Sequence, residues 1–391
     1  MKKFLPYLLA LAVAVMVVSV RYGGKAAKDD TANDIIIGTT NSGSENSNSS
    51  SENDGGITVP EGMIMTMTTN ESRVEIFLWG DSSATIMWGD STKSETETLS
   101  AERDFADDYP TFSHTYSGAT ACVITIIGKD IVGLSCSSAG LTALDVSGNT
   151  ALRELWCNFN QLTTLDVSKN TALTELSCNG NSLTKLVVSG ATALTRLDCY
   201  ENQLTALDVS EATALTKLRC DNNQLTELVV NGVTTLTWLR CDNNQLTTLD
   251  VSGATALTYL RCGKNQLTTL DLGKLTALNL GKNTALTELD CYNNQLTELD
   301  VRNNAVLTYL DCGKNQLTAL DVRTNSALTK LAVDDNQFTA AALNTLFGML
   351  PYNRGDRRTS LWMGDNPGAE TCDRDIALSN GWVAMNRIMK R

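Results

Sequence analysis

A single cysteine recurs every 21 residues through the middle of this 391-residue chain. Every step from Cys136 to Cys262 is 21 residues, the next step is 29, and the step from Cys291 to Cys312 is again 21. The unit reads L-x-x-L-x-C-x-x-N-x-L-T-x-L-D-V-S-x-N-T-A and runs nine times from about Ile131, before a tenth copy with Val333 in place of the cysteine. One such unit cannot bury enough apolar surface to fold alone, so the period predicts a solenoid of stacked coils.

The single 29-residue step has a simple origin in the sequence. LTTLDLGK (267–274) is followed directly by LTALNLGK (275–282), so an eight-residue piece is duplicated. Because the duplication follows the second strand-like segment of its repeat, we expect it to bulge from the back of the coil.

The cysteines are predicted to face the core as reduced thiols. In the segment ELSC, a strand points Leu176 and Cys178 inward and Glu175 and Ser177 outward. The alternative is disulfides, the usual fate of exported cysteines. Parallel neighbouring side chains do not give the required torsion, however, and eleven is an odd number. No Cys-x-x-Cys or Cys–His cluster occurs, so we expect no metal site and no cofactor.

A second ladder of asparagines is predicted where the chain turns off each strand. There a side-chain amide can satisfy backbone groups of adjacent turns that would otherwise be buried unpaired, so we interpret it as structural. Its members are Asn160, Asn181, Asn202, Asn223, Asn244, Asn265, Asn294, Asn315 and Asn336.

The repeat resembles the leucine-rich repeat, in the 21-residue cysteine-ladder form of internalin J-like bacterial surface proteins. LTKLRCDNNQLTELVV and LTWLRCDNNQLTTLDVS carry the resemblance, which covers about 131–340. It implies a mainly β fold, with a right-handed curved solenoid, a parallel sheet on its concave face, and a binding role rather than catalysis.

Residues 57–130 lack the repeat and predict a small antiparallel β-sandwich that caps the first coil. WGD (88–90) and FSHTYSG (112–118) resemble motifs of PKD-like domains, although Ser91 replaces the usual second glycine. A cap is expected because the first repeat is irregular, with Ala139 at the ladder-asparagine position. We interpret His114, the single histidine, as a structural residue of this domain.

The two ends of the chain predict other roles. Residues 1–21 combine two lysines with an apolar run, which indicates an export signal or a membrane anchor. Residues 22–56 are rich in Ser, Asn and Gly and predict a disordered linker. After 340 the period breaks, and 341–391 predict a C-terminal cap: a helix in AALNTLFGML, a last strand in TSLWMG, and a short helix near a buried Cys372.

The face of the predicted sheet that points to solvent contains the candidate binding residues. Arg219, Arg240 and Arg261 fall in one column, where stacked like charges destabilise a sheet. Arginine, tryptophan and tyrosine together are typical of interface hot spots. The alternative is a solvated face whose arginines pair with Asp221, Asp242 and Asp198. The predicted ligand-binding set is Arg196, Tyr200, Lys217, Arg219, Trp238, Arg240, Tyr259 and Arg261.

These features favour a recognition protein, secreted or on the cell surface of a bacterium. We expect a monomer that binds a protein or a glycan, with the membrane involved only through an uncleaved N-terminal segment. A net charge of −13 argues against nucleic acid as partner, and one histidine argues against an enzyme. A structural spacer or coat component without a specific ligand remains the alternative.

Overall fold

The computed structural model describes residues 63–100, 111–118, 121–268, 283–353 and 359–386. The predicted signal or anchor, the linker, and all but the first two residues of the 267–282 duplication lie outside the described residues. No helix in the described ranges has both the length and the apolar character needed to cross a membrane.

Six strands form the N-terminal part of the fold, before the first repeat. Their alternating burial follows the alternating sequence, with Met65, Met67, Ile124 and Ile126 in the core. The PKD-like assignment of this region stays a prediction. The strands are β1 (Ile64–Thr69), β2 (Arg73–Gly80), β3 (Ser83–Met87), β4 (Glu95–Thr98), β5 (Thr111–Thr115) and β6 (Cys122–Gly128).

The two motifs noted in this region contact each other. His114 Nε2 lies 2.7 Å from Asp90 Oδ2, and the His114 ring stacks on Trp88 with centroids 4.9 Å apart. The Tyr116 hydroxyl donates a hydrogen bond to the Trp88 carbonyl, at 2.9 Å. Ser91, at the usual glycine position, has a left-handed φ of 65°. These contacts hold the turn together, which is the structural role expected of His114.

The remaining elements form the solenoid. They are β7 (Ile131–Ser135), β8 (Leu141–Asp145), β9 (Glu154–Trp156), β10 (Thr164–Asp166), β11 (Glu175–Ser177), β12 (Lys185–Val187), β13 (Arg196–Asp198), β14 (Ala206–Asp208), β15 (Lys217–Arg219), β16 (Glu227–Val229), β17 (Trp238–Arg240), β18 (Tyr259–Arg261), β19 (Glu288–Asp290), β20 (Tyr309–Asp311), β21 (Lys330–Ala332), α1 (Ala340–Met349), β22 (Ser360–Trp362), α2 (Arg374–Ser379) and β23 (Val383–Met385).

Each repeat contributes one short strand to a sheet of fourteen strands within the described residues. Pairing is parallel from β7 to β23, with the central leucine of each strand opposite the leucine of the next in the repeats. The N-terminal strands continue the solenoid, because β2 pairs antiparallel with β7 and β1 pairs antiparallel with β8. The edge of the first coil is therefore covered by backbone pairing rather than left open.

The thiol ladder is confirmed. All eleven cysteines are free, and the nine from Cys136 to Cys312 are fully buried. Burial raises the pKa of these thiols, to about 12 for Cys157, so they remain protonated and unreactive at neutral pH. Cys372 differs from the prediction: it is only partly buried, with its Sγ against Met363 Sδ and the Ala369 carbonyl.

The asparagine ladder has the predicted structural role. Asn223 Nδ2 donates to the carbonyls of Cys199 and Cys220 at 3.1 and 3.2 Å, and its Oδ1 accepts from Leu204 N at 3.0 Å. The same pattern recurs from Asn160 to Asn336. Each side chain thus joins two coils through backbone groups that the core cannot otherwise satisfy.

A further asparagine ladder, on the other corner of the coil, was not predicted. Asn170 Nδ2 donates to the carbonyls of Val146 and Asn149 at 2.8 and 2.7 Å. The signal was in the repeat unit, whose S-x-N-T-A ending places this residue, but the middle coils interrupt it with alanine or valine. Its described members are Asn149, Asn170, Asn283, Asn304 and Asn325.

The repeat continues past residue 340, where the sequence indicated a break. LWMGDN (361–366) is a repeat unit with methionine in place of cysteine: Asn366 Nδ2 donates to the Val333 and Met363 carbonyls, both at 2.9 Å. The predicted helices α1 and α2 and the predicted strand β22 are present, and β23 adds a strand that was not predicted. Helices replace the second strands here, so these coils are longer than 21 residues.

Candidate ligand-binding face

The eight predicted binding residues lie together on the solvent side of the large sheet, which we call the concave face. Register places Arg196, Lys217, Trp238 and Tyr259 in one column across β13, β15, β17 and β18. Arg219, Arg240 and Arg261 form the next column, and Tyr200 lies two residues after the end of β13. The alternation of each strand sets this arrangement, because only the central leucine of each triplet points inward.

The arginine column is paired with carboxylates, as in the alternative that the sequence left open, and is not a column of uncompensated charges. Arg219 Nε donates to Asp221 Oδ1 at 2.8 Å, and Arg240 Nε donates to Asp242 Oδ1 at 2.8 Å. Arg261 instead reaches across to the next strand and binds Asp290 Oδ2 at 2.9 Å. Each guanidinium therefore has an acidic partner that neutralises the column.

Asp221 is the centre of this network. Its side chain is fully buried, with Arg219 on one side and Arg240 Nη2 3.4 Å from its other oxygen. Asn222 Nδ2 donates to that same oxygen at 2.7 Å. A buried carboxylate needs such partners, so the two arginines have a structural task as well as any role in binding.

Aromatic side chains on the face are also held in place. The Trp238 and Tyr259 rings stack with centroids 5.1 Å apart and an interplanar angle of 8°. The Arg219 guanidinium carbon lies 3.6 Å from the centroid of the Tyr200 ring, in cation–π geometry. These rings stay partly exposed, and their mutual contacts reduce the conformational entropy that a ligand would otherwise have to remove.

Two depressions lie on the face on either side of the arginine column. One, of about 590 Å³, is lined by Trp156, Asn158, Glu175, Arg196 and Asp198. The other, of about 380 Å³, is lined by Tyr259, Glu288, Asp290, Tyr309 and Lys330. Both combine aromatic rings with charges, which suits recognition of a polar ligand.

Sequence reasoning missed one titratable group beside the second depression. Burial, with the nearby charge of Asp290, raises the pKa of Asp311 to about 7. From the described residues, Asp311 accepts hydrogen bonds only from Gly313 N at 3.1 Å and the Tyr309 hydroxyl at 3.3 Å. The sequence placed it in an outward row beside Asp290, but it did not indicate how deeply the Asp311 side chain would be buried.

Among the described residues, no group of three or more His, Cys, Asp and Glu side chains is arranged to hold a metal ion. Extended sheet faces of this kind in solenoids serve as binding surfaces.

The repeat, the thiol ladder and the asparagine ladder define a leucine-rich-repeat solenoid of the cysteine-ladder type. The chain is similar to the functional domain of InlJ from Listeria monocytogenes, which includes a cysteine ladder: identity is 36%, the TM-score is 0.55, and the match covers 66% of this chain. It spans 54% of the InlJ chain, or about half its length.

Other solved structures match more weakly. A leucine-rich-repeat protein of Leptospira interrogans has 22% identity and a TM-score of 0.42, covering 58% of this chain and 64% of its own. The internalin InlF of Listeria monocytogenes has 24% identity and a TM-score of 0.41, covering 60% and 74%. No protein-family profile matches the chain, and no curated protein does so either.

Proposed function

We propose that this protein is an exported or cell-surface recognition protein of a bacterium that binds a protein or a glycan on its concave face. The observation that carries the proposal is the ordered group of aromatic and basic side chains on β13 to β18. The proposed contacts are Arg196, Tyr200, Lys217, Arg219, Trp238, Arg240, Tyr259 and Arg261. Likeness to the functional domain of InlJ from Listeria monocytogenes supports the proposal, and the apolar segment 1–21 supports export.

The aromatic anchors are the strongest support for binding. Stacking Trp238 on Tyr259 stabilises the sheet, but a solvated spacer does not need two large rings that stay partly exposed in the middle of its face. Tryptophan, tyrosine and arginine are the residue types that contribute most binding energy at interfaces. Their fixed positions also limit the entropy lost on association.

The alternative, a structural spacer or coat component, has one observation in its favour. Arg219, Arg240 and Arg261 are already paired within the chain, as expected of a solvated face. A partner therefore has to use the guanidinium groups in addition to, rather than instead of, their aspartates. This makes the aromatic side chains the better probes of function.

The experiment compares three forms of the full chain on a glycan array and against a library of extracellular proteins. The forms are wild type, Trp238→Ala with Tyr200→Ala, and a control, Tyr352→Ala, which removes an exposed ring after α1. A specific partner should bind wild type and the control with the same affinity. The double variant should weaken the binding free energy by about 2 kcal/mol or more. If no ligand binds, or if the double variant binds as well as wild type, the spacer is favoured and the concave-face proposal is wrong.

A further inference from the structure

The larger depression, at the N-terminal end of the concave face, is built around one small side chain. Ser177 is the last residue of β11, and register places Trp156 of β9 on one side of it and Asp198 of β13 on the other. Glu175 lies two residues before Ser177 on the same face, and Asn158 follows Trp156 by two residues. The larger side chains surround the serine, so the floor between Trp156 and Asp198 is two strand spacings, or about 10 Å, wide.

The aromatic wall of this depression is held in place by a second ring. The Trp79 ring from β2 contacts the Trp156 ring, with centroids 5.3 Å apart and an interplanar angle of 49°. Trp79 can reach across because β7 carries Gly133, where a Cβ atom would overlap the Trp79 ring. Trp79 therefore supports Trp156 from the β7 side, and the depression lies on the β11 side. A wall that is already fixed loses little conformational entropy when a ligand packs on it.

Another aromatic ring at the rim contributes little to the core. Phe159 directly follows Asn158, is 54% exposed and has a left-handed φ of 56°, which is unfavourable for a bulky residue. Later coils have polar residues such as Asn222 and Lys264 in the same left-handed turn. The Phe159 ring lies against Gly180, where a Cβ atom would be 2.6 Å from Phe159 Cδ1. Neither the turn nor the core requires an aromatic residue here, whereas contact with a ligand does.

The polar groups of the depression offer both donors and acceptors. Ser137 Oγ donates to Asn158 Oδ1 at 2.8 Å, which leaves the Asn158 amide N–H groups to donate. Ser177 Oγ donates to Asn179 Oδ1 at 2.9 Å, which leaves the serine oxygen to accept. The half-exposed carboxylate of Glu175 has no ion-pair partner among the described residues and also accepts. Such a mixture suits hydroxyl groups, because each hydroxyl both donates and accepts.

The charges around the depression favour a neutral ligand over an anionic one. Arg196 Nε and Nη2 lie 2.9 and 2.8 Å from Asp198 Oδ2, so the charge of this guanidinium is already compensated. Glu175 then leaves the depression slightly acidic. An anionic ligand would meet the Glu175 carboxylate without a cation to offset the repulsion.

We propose that this depression binds one neutral sugar residue of a glycan. The inference rests on the proposed function and deepens it, because it assigns one of the two classes of partner to this end of the face. The C–H groups of a pyranose ring are weakly positive and pack on the negative face of an aromatic ring, here Trp156. The sugar hydroxyls bond to Glu175, Ser177 and Asn158, and the floor admits one ring.

The test uses the full chain and matched pairs of methyl glycosides, followed by saturation-transfer NMR. The pairs are the methyl pyranosides of glucose, galactose and mannose, each with the uronic acid in which a carboxylate replaces the C6 hydroxymethyl group. At least one neutral glycoside should bind, about tenfold or more tightly than its uronic acid, because of the repulsion from Glu175. If no neutral glycoside binds, or if the members of each pair bind equally, the proposal is wrong.

Matched variants locate the sugar on the face. Ser177→Gln fills the floor and should abolish binding. Ser252→Gln makes the same change at a half-buried serine outside the depression and should bind as wild type does. Melting temperatures check that both variants are folded. Full binding by Ser177→Gln, or equal losses in the two folded variants, would overturn the proposal.

Glu175→Gln tests the depression even if Ser177→Gln does not fold. It keeps the size of the side chain and its acceptor oxygen but removes the charge. The uronic acid should then bind within about threefold of its neutral partner, since the like-charge repulsion is gone. A variant that still prefers the neutral glycoside as strongly as wild type does would show that the sugar does not lie beside Glu175.

This test is independent of the central contact residues. If no glycoside binds while a partner identified on the array still requires Trp238 and Tyr200, only the sugar inference is wrong. If a glycoside binds and Ser177→Gln abolishes its binding, but no partner requires Trp238 and Tyr200, the proposed central contact set is wrong and the sugar site stands.

Discussion

At the residue scale, Asp221 limits which substitutions of Arg219 and Arg240 the fold can tolerate. Its carboxylate is inaccessible to solvent and depends on two guanidinium groups and one amide. Sequence could predict that Arg219 and Arg240 face outward, since alternation along a strand fixes that. It raised the pairing with Asp221 and Asp242 only as an alternative and could not decide it, because a long side chain has many rotamers and Asp221 could equally have pointed to solvent.

We therefore expect Arg219→Met with Arg240→Met to destabilise the fold, by roughly 3 kcal/mol or more, since it leaves a buried carboxylate without its cations. Urea unfolding measures the effect. The matched control is Arg302→Met with Arg323→Met, two exposed arginines that also pair with aspartates two residues before them. That control should unfold close to wild type, and a loss of stability as large as that of the test pair would contradict the assigned role of Asp221.

Substitution of Cys220 tests whether the ladder cysteines are buried free thiols. Its pKa is raised well above the usual value by burial, with the neighbouring thiols of Cys241 and Cys199 adding to the effect. Cys220→Ser should cost about 1–3 kcal/mol, because a buried hydroxyl has no assured partner there. Cys372→Ser, at a partly buried site, should cost less. Native protein should also resist alkylation at ladder positions until it is denatured, and mass mapping that finds disulfides between coils would refute the ladder of free thiols.

The raised pKa of Asp311 predicts that the stability of the fold depends on pH. Its pKa is raised from 3.8 to about 7 in the folded protein, so the folded state binds its proton more tightly than the unfolded chain does. Stability contributed by this group is complete below about pH 4 and is lost as pH rises toward about pH 7. Asp311→Asn should therefore raise the melting temperature at about pH 8 and change it little at about pH 4. An equal effect at both pH values would contradict the raised pKa.

At the element scale, the repeat was predicted more reliably than its ends. The further asparagine ladder, from Asn149 to Asn325, and the strand β23 were missed for different reasons. The middle coils carry alanine or valine at the position of this further ladder, so its 21-residue period is interrupted in the sequence. Around β23, a helix replaces the second strand, so the 21-residue spacing no longer applies. The repeat unit around Asn366 could have been recognised from the sequence, because this asparagine follows a leucine by five residues as it does in the other coils.

The last coils should depend on Asn366. Asn366→Ala removes two donated hydrogen bonds and the acceptor for Phe338 N, and it leaves those backbone groups buried and unpaired. We expect local loss of protection in α1 and β22 by hydrogen exchange, with the central coils unaffected. Removing everything from Asn344 onward should be more severe and cause aggregation, since β21 becomes an open edge. A soluble, monomeric truncation with unchanged melting would show that these coils are not a cap.

At the scale of the whole molecule, stability is distributed along the solenoid. Each coil pairs with its two neighbours, so contacts between distant coils are few and the energy is close to a sum over coils and interfaces. A sequence period is enough to predict this architecture, because the same side chains fill the same positions in each unit. It is not enough to predict which charges on the face are paired, since that depends on side chains that differ from coil to coil.

Deleting one whole unit, 215–235, should therefore shorten the protein by one coil and leave it folded. The deletion joins Ala214 to Leu236, which repeats an existing junction, and it brings Arg240 and Asp242 to the positions that Arg219 and Asp221 occupied. The control deletes one residue fewer, 215–234, so that the coil no longer fits the register of its neighbours and side chains of a strand turn to the wrong face. Circular dichroism and small-angle scattering should show a folded, shorter molecule for the first and a disrupted one for the second. If both deletions fold equally well, the coil-by-coil register does not control this structure; if neither folds, the coils do not act as separable units.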